Sequence, residues 1–320
     1  METTSILRNY VAKFEINEAI AAPSLAWVKR IAVLVKGEEG QDGIFECVTR
    51  GQLSQYTKNV DTISNIFDAG STVCYIVRVS NFAKFKDLYV DGQFFTLIFS
   101  EDWTDQEVAT AFETGFGDFT GVKAAMFKLD EQNKNLYMDS IKDKQDVCCF
   151  AHKQKEEKAN YSNMYYAFGS LLSRDILDNR QYIEMPVNDN IVALGLAEKL
   201  FDERISFVTT DTDYGPRLSL FCISGEPVIA PYVEKMLQLD IQAAAISATN
   251  LYKPNMTASA ISKIKDYIEQ KVISKYVNPE TIPAITFYLK MNEEGWIAKG
   301  AITMSSIKAL WRYIITITKE

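Results

Sequence analysis

The 320-residue chain has a single histidine, His152. One imidazole cannot build a His-rich zinc site. A core-edge or surface position beside the charged run 153–158 is the expected place for it. Positive charge is also in deficit, with 34 Lys and Arg against 42 Asp and Glu and a net charge of −8. The basic residues are scattered among acids. Without a clustered basic face to neutralise phosphates, direct nucleic-acid binding is not expected. No stretch reaches the roughly 18 apolar residues of a membrane span, so membrane insertion is not expected. The start, Met1-Glu2-Thr3-Thr4-Ser5, lacks the basic-then-apolar pattern of a secretory signal.

Cysteines are few and oddly placed. The five are Cys47, Cys74, Cys148, Cys149 and Cys222, most of them in apolar runs. Free, buried thiols in a reducing compartment are expected, with synthesis in a cytoplasm. Cys148 and Cys149 are adjacent, and adjacent strand residues face opposite ways, so they make a poor chelate. Phosphate loops are missing too. Gly37, Gly40 and Gly43 do not match Gly-x-Gly-x-x-Gly, and the acids among them would repel phosphate.

What remains is an ordinary globular composition, 47% hydrophobic and 24% charged. A chain of this size buries a full core without disulfides or metals. Residues 6–16 suit an extended arm or strand. Apolar runs at 31–35 and 44–48, joined by a Gly-rich loop, read as a hairpin-like entry. Residues 52–67 carry apolar positions at helical spacing, and Gly70 suits a left-handed cap. Residues 73–79 are a near-continuous β run, the mark of a strand buried on both sides. Strands are also expected at 88–99, 122–129 and 146–150, and a helix at 106–115. Residues 161–172 fit a strand or an aromatic-faced helix.

Further on, 190–203 reads as an amphipathic helix leading into a strand at 205–210. A polar turn, a strand at 218–223, a helix at 226–239 and a strand at 241–247 follow. Residues 258–277 read as a longer helix. Three β runs close the chain at 284–291, 296–303 and 307–318. The fold class is α/β (α+β): a mixed-sheet α/β core with extended N- and C-terminal β arms. The expected division is an arm at 1–22, a core at 23–283 with a possible inserted region at 85–145, and a C-terminal β region and arm at 284–320.

Chemistry is sparse. Asp211 and Asp213 follow a strand, where α/β proteins place ligand contacts, and two carboxylates can hold Mg²⁺. Acids in that position are equally what any turn uses. No cofactor is expected. A Mg-dependent enzyme using Asp211 and Asp213 is the weaker alternative to a structural role.

The sequence Ile66-Phe67-Asp68-Ala69-Gly70-Ser71-Thr72, followed by Val73-Cys74-Tyr75-Ile76-Val77-Arg78-Val79, resembles the tail sheath subunits of contractile phages. In those proteins a Phe-x-Asn-Gly-Gly-like turn precedes a Cys-Tyr-Val-Val-Arg-Val-like buried strand. Here Asp68 stands for the Asn and Ala69 for the first Gly. The matching positions are Phe67, Asp68, Gly70, Cys74, Tyr75 and Arg78. A second likeness lies in Leu196-Ala197-Glu198-Lys199-Leu200-Phe201 and the strand running to Asp211.

The resemblance implies a non-enzymatic virion protein of a short sheath variety, made in the host cytoplasm. It would polymerise with copies of itself around an inner tail tube and contract to drive that tube into the host envelope. Its further partners would be baseplate and tail terminator proteins. Another tail or baseplate structural protein is the related alternative. The family's terminal arms add strands to neighbouring subunits. The segments here would be Ile6, Leu7, Tyr10, Val11 and Phe14 at one end, and Trp311, Tyr313, Ile315 and Ile317 at the other. Pairing of both ends within the same subunit is the competing arrangement.

Overall fold

A computed structural model describes residues 10–15, 26–153, 157–174, 185–186, 194–211, 215–224, 226–252, 258–277, 282, 284–291 and 298–304. In chain order the elements are β1 (Tyr10–Glu15), a 3-10 turn at Ala26–Lys29, β2 (Ile31–Lys36), β3 (Gly43–Cys47), α1 (Arg50–Leu53), α2 (Val60–Ile63), α3 (Asn65–Asp68), β4 (Cys74–Val79), α4 (Ala83–Leu88), β5 (Thr96–Phe99), α5 (Asp105–Thr114), β6 (Val122–Lys128), α6 (Leu136–Ile141), β7 (Val147–His152) and α7 (Glu157–Ser173). Then come α8 (Leu194–Asp202), β8 (Phe207–Asp211), β9 (Gly215–Leu220), β10 (Cys222–Ile223), β11 (Glu226–Pro227), α9 (Ala230–Tyr252), α10 (Ala258–Ile268), a π turn at Glu269–Ile273, α11 (Ser274–Tyr276), β12 (Ile285–Met291) and β13 (Ala298–Met304). The chain divides into two compact units, Ala26–Pro231 and the combination of Met1–Leu25 with Tyr232–Glu320.

The larger unit is organised by a six-stranded sheet in the order β3-β4-β2-β5-β6-β7. Five of its strands are parallel, and β3 alone runs antiparallel, on β4 at the edge. The parallel strands are near-continuous apolar runs buried along almost their whole length, as strands covered on both faces must be.

The expected hairpin of 31–35 with 44–48 does not form. The residues of β2 from Ile31 to Val35 are fully buried, so β2 takes the centre, between β4 and β5. β3, whose residues are mostly half-buried, is displaced to the edge beyond β4. Residues 85–145 supply β5 and β6 to the interior of this sheet, together with α5 and α6.

The helix expected over 52–67 is three single turns instead, α1, α2 and α3. The polar residues at the breaks explain it. Thr49 and Gln52 close a capping box at the start of α1, and the Ser54 hydroxyl donates to the Gly51 carbonyl. The Asn65 amide donates to the Asp61 and Thr62 carbonyls. Side chains that bond nearby backbone compete with a continuous helical ladder. Gly70 does sit in the left-handed region, at φ 104°. Of the β region expected at 88–99, only β5 is a strand, because a turn through Gly92 (φ 85°) precedes it.

The ambiguous stretch 161–172 is helical. Tyr161, Met164, Tyr165, Phe168 and Leu172 of α7 recur at helical spacing and are all buried. α7 packs on α2, α3 and β6. The strand expected at 241–247 is also helical and lies inside α9. Its buried residues Ile241, Ala244, Ala245 and Ala248 follow the 3.6 period, and alanine is the strongest helix former.

In the smaller unit, α10 runs through the π turn into α11, realising the long helix expected at 258–277. A three-stranded antiparallel sheet has the order β1-β13-β12. Phe287 and Leu289 of β12 are buried while Thr286 and Tyr288 are exposed, so β12 presents one face inward and one outward.

Candidate assembly sheet and the end of the central sheet

The terminal sheet is built from both ends of the sequence. β1 pairs with β13 from Tyr10↔Met304 to Glu15↔Lys299, and β13 pairs with β12 from Ile285↔Met304 to Met291↔Ala298. Tyr10, Val11 and Phe14 of the expected N-terminal arm are thus strand residues, opposite Met304, Thr303 and Gly300. In the isolated chain they pair within their own subunit. Ile6, Leu7, Trp311, Tyr313, Ile315 and Ile317 lie outside the described residues. β1 and β12 are the two edges of this sheet among the described residues.

The motif residues gather around β4. Cys74 is fully buried and stands opposite Cys47 of β3. Tyr75 stands opposite Glu46, to which its hydroxyl donates at 2.6 Å, and it accepts from the Arg30 guanidinium at 3.2 Å. Burial, reinforced by the bond to Glu46, pushes the Tyr75 phenol up to about 12, so it remains a neutral donor. Arg78 donates through Nε to the Gln41 carbonyl at 2.8 Å and lies over the Phe45 ring at 5.3 Å. Asp68 is exposed and ion-paired with Arg50, and Phe67 is half-buried on α3. Together these contacts fasten the edge strand β3 and its loop to the central strand β4.

The parallel strands follow a doubly wound order, with β2 first, β4 on one side and β5, β6 and β7 on the other. Sheets of this kind bind ligands at the carboxyl ends of the strands, where the order reverses, here between β2 and β5. That position is filled by side chains. Trp103 is buried and donates through its indole N–H to the Leu34 carbonyl at 3.0 Å, which also accepts from the Ser100 N–H at 3.0 Å. Lys36 at the end of β2 lies over the Trp103 ring at 5.3 Å and pairs with Glu107 at 2.6 Å. Glu101 accepts from the Thr62 hydroxyl at 2.6 Å and the Tyr165 hydroxyl at 3.0 Å. The arrangement closes the sheet end and ties α2 and α7 to it. Nothing local in the sequence marks this cluster, since Thr62, Glu101 and Tyr165 lie far apart along the chain.

Asp211 ends β8 opposite Gly215, and Asp213 lies outside the described residues. Among the described residues, no group of three or more His, Cys, Asp or Glu is gathered to hold a metal ion. His152 is buried at the end of β7, not at the surface, with its Nδ1 at 3.0 Å from the Asn160 amide. Strand β7 is buried throughout, which carries its last residue inward with it. The five cysteines are free and buried, as expected. No helix among the described residues is long and apolar enough to cross a membrane.

No family model matches the chain, and no curated protein matches it. Solved structures do. A chain of the anti-feeding prophage baseplate, 6-fold symmetrised, is similar over 100% of this chain and 99% of its own, with a TM-score of 0.69 at 9% identity. A chain of the sheath complex of the extracellular contractile injection system PVC, in the contracted state, is similar over 100% and 96%, with a TM-score of 0.63 at 13% identity. A chain of the contracted helical sheath of the anti-feeding prophage is similar over 99% and 100%, with a TM-score of 0.64 at 10% identity. The chain has the fold of these sheath and baseplate chains from end to end.

Proposed function

We propose that the chain is a structural subunit of a contractile tail sheath. It polymerises around an inner tail tube and contracts to drive that tube into the host envelope. The observation that carries this reading is the end-to-end likeness to contracted sheath chains, with nearly the full length of each chain covered. The resemblance of the β4 region to phage sheath subunits supports it independently.

The terminal sheet supplies a physical means of linkage. The β13 edge that accepts β1 needs a strand of that sequence, and a neighbour's β1 fits it as well as the chain's own. Main-chain hydrogen bonds give adhesion and the alternating side chains give register. Exchange of an identical element between copies is domain swapping, and a head-to-tail contact that does not close generates a helix. In this reading residues 1–22 and 284–320 are the linking arms, residues 23–283 form the body, and Trp311, Tyr313, Ile315 and Ile317 form the second linking strand. Contraction is a switch between two packings of linked bodies. The tube, the baseplate and a tail terminator are the partners, with assembly in the host cytoplasm before the subunit takes its place in the virion tail.

A second reading, a baseplate structural protein, is favoured by the similarity to a baseplate chain. Copy number separates the two, since a sheath protein is among the most abundant chains of a purified particle and a baseplate component is not. The arms are tested by deleting residues 1–15 or 308–320. Each truncation is expected to remain folded by circular dichroism and to sediment as a monomer where the full chain assembles. Assembly of both truncations like the full chain would overturn the linkage.

A further inference from the structure

β3 and β4 are antiparallel, and their register sets Cys47 directly opposite Cys74. Directly opposed residues of such a pair place their side chains on one face, with Cα atoms about 4.5 to 5.5 Å apart. That separation falls inside the window of roughly 4.4 to 6.8 Å that a disulfide requires. Both side chains are fully buried. Each thiol now turns to a carbonyl of its own strand, Cys47 to Phe45 at 4.0 Å and Cys74 to Tyr75 at 3.6 Å. The other three cysteines are arranged differently. Cys148 and Cys149 are consecutive on β7 and face opposite ways, while Cys148 and Cys222 both contact the Ser206 hydroxyl, at 3.5 and 3.9 Å.

We propose that Cys47 and Cys74 are a latent cross-strand disulfide pair, open in a reducing cytoplasm and closed by a disulfide oxidant once the protein reaches an oxidising medium. The inference rests on the strand register and does not depend on the assembly role. Closure would tie the edge strand β3 covalently to the central strand β4. It would also clasp both ends of the segment carrying α1, α2 and α3, of which α2 and α3 pack on α7.

Oxidised glutathione serves as the oxidant. The Cys47 thiolate attacks one glutathione sulfur, forming a mixed disulfide and releasing one glutathione thiolate. The Cys74 thiolate then attacks the Cys47 sulfur, closing the bridge and releasing the second glutathione. Two electrons pass from the protein to the oxidant, and the two thiol protons end on the two glutathione thiols. Burial, then Glu46, pushes the Cys47 thiol up to about 11, and burial, then Cys47, raises Cys74 further. Both thiols therefore exchange slowly in the closed sheet. Fraying of β3, an edge strand with half-buried residues at Gly43, Ile44 and Phe45, gives the oxidant access.

The test uses the full chain, incubated with oxidised glutathione, blocked with N-ethylmaleimide in denaturant and digested without reduction. Mass spectrometry is expected to find one linked pair of peptides joining Cys47 to Cys74, lighter by two hydrogen atoms than the separate peptides. Cys148, Cys149 and Cys222 should be recovered alkylated. The oxidised protein should melt several degrees higher than the reduced one, with the shift reversed by dithiothreitol and absent in C47S and C74A. Recovery of Cys47 and Cys74 as alkylated or glutathione-capped thiols, or a bridge among the other three cysteines alone, would overturn the proposal.

Discussion

The Tyr165 hydroxyl of α7 donates to Glu101 at 3.0 Å, so a helix and a strand end are held through one half-buried carboxylate beside the central sheet. Burial raises the Glu101 pKa, partly opposed by the bonds from Thr62 and Tyr165. A carboxylate raised in the folded state contributes stability that is present below its unfolded value, about 4.3, and is lost as pH rises through the folded value. Glutamine keeps the shape and removes the charge. The melting temperature of E101Q minus that of the wild type should therefore increase from about pH 4 to about pH 8. A difference that stays flat across this range would contradict the assignment.

Removing the donor has the opposite consequence. Y165F removes one of the bonds that the Glu101 carboxylate accepts and leaves those from the Thr62 hydroxyl and its own backbone N–H. The loss of a hydrogen bond to a charged group should lower stability by about 1.5–3 kcal/mol near neutral pH. Urea denaturation measures it. The deficit should shrink in the E101Q background, where no charge needs the bond.

Trp103 closes the carboxyl end of the sheet with both its ring and its N–H. W103A should cost about 3–5 kcal/mol, as deletion of a large buried aromatic does. W103F should recover much of the packing and still leave the Leu34 carbonyl short of one donor. The order of stability should be wild type, W103F, W103A by chemical denaturation.

Gly169 of α7 lies where α3 comes closest. A Cβ built there would sit 2.7 Å from the Ile66 carbonyl oxygen and 2.8 Å from the Ala69 Cβ. The first of these is rigid backbone, so α3 must move. G169A should destabilise the protein by about 1–3 kcal/mol despite the better helix propensity of alanine. A stabilised G169A would mean that α3 is not seated on α7 in this way.

Much of the central sheet was legible because parallel strands buried on both faces read as near-continuous apolar runs. Ile31 to Val35 and Cys74 to Val79 are examples. The helix expected at 106–115 is α5. The partner of β3 was not legible. Nothing local in residues 44–48 states that a strand beyond the loop will pair with β4 in place of β2, since that choice is made by burial of β2 at the centre. Residues 52–67 carry helical spacing, but the side chains of Ser54 and Asn65 bond locally and divide it. The run Ala243-Ala244-Ala245 sat within an apolar stretch that read as a strand and belongs to a helix. Of the site, Cys74 and Tyr75 were legible as a resemblance. Glu101 was invisible, because its partners Thr62 and Tyr165 are distant in sequence and meet it only through the fold.

The most direct measurement is negative-stain electron microscopy of the purified full-length protein at high concentration, alone and with the purified inner tube of the particle. Hollow tubes or stacked rings are expected, formed by the chain itself or laid down on the tube. A protein that stays monomeric under both conditions would contradict a sheath role and leave the fold without the assembly assigned to it.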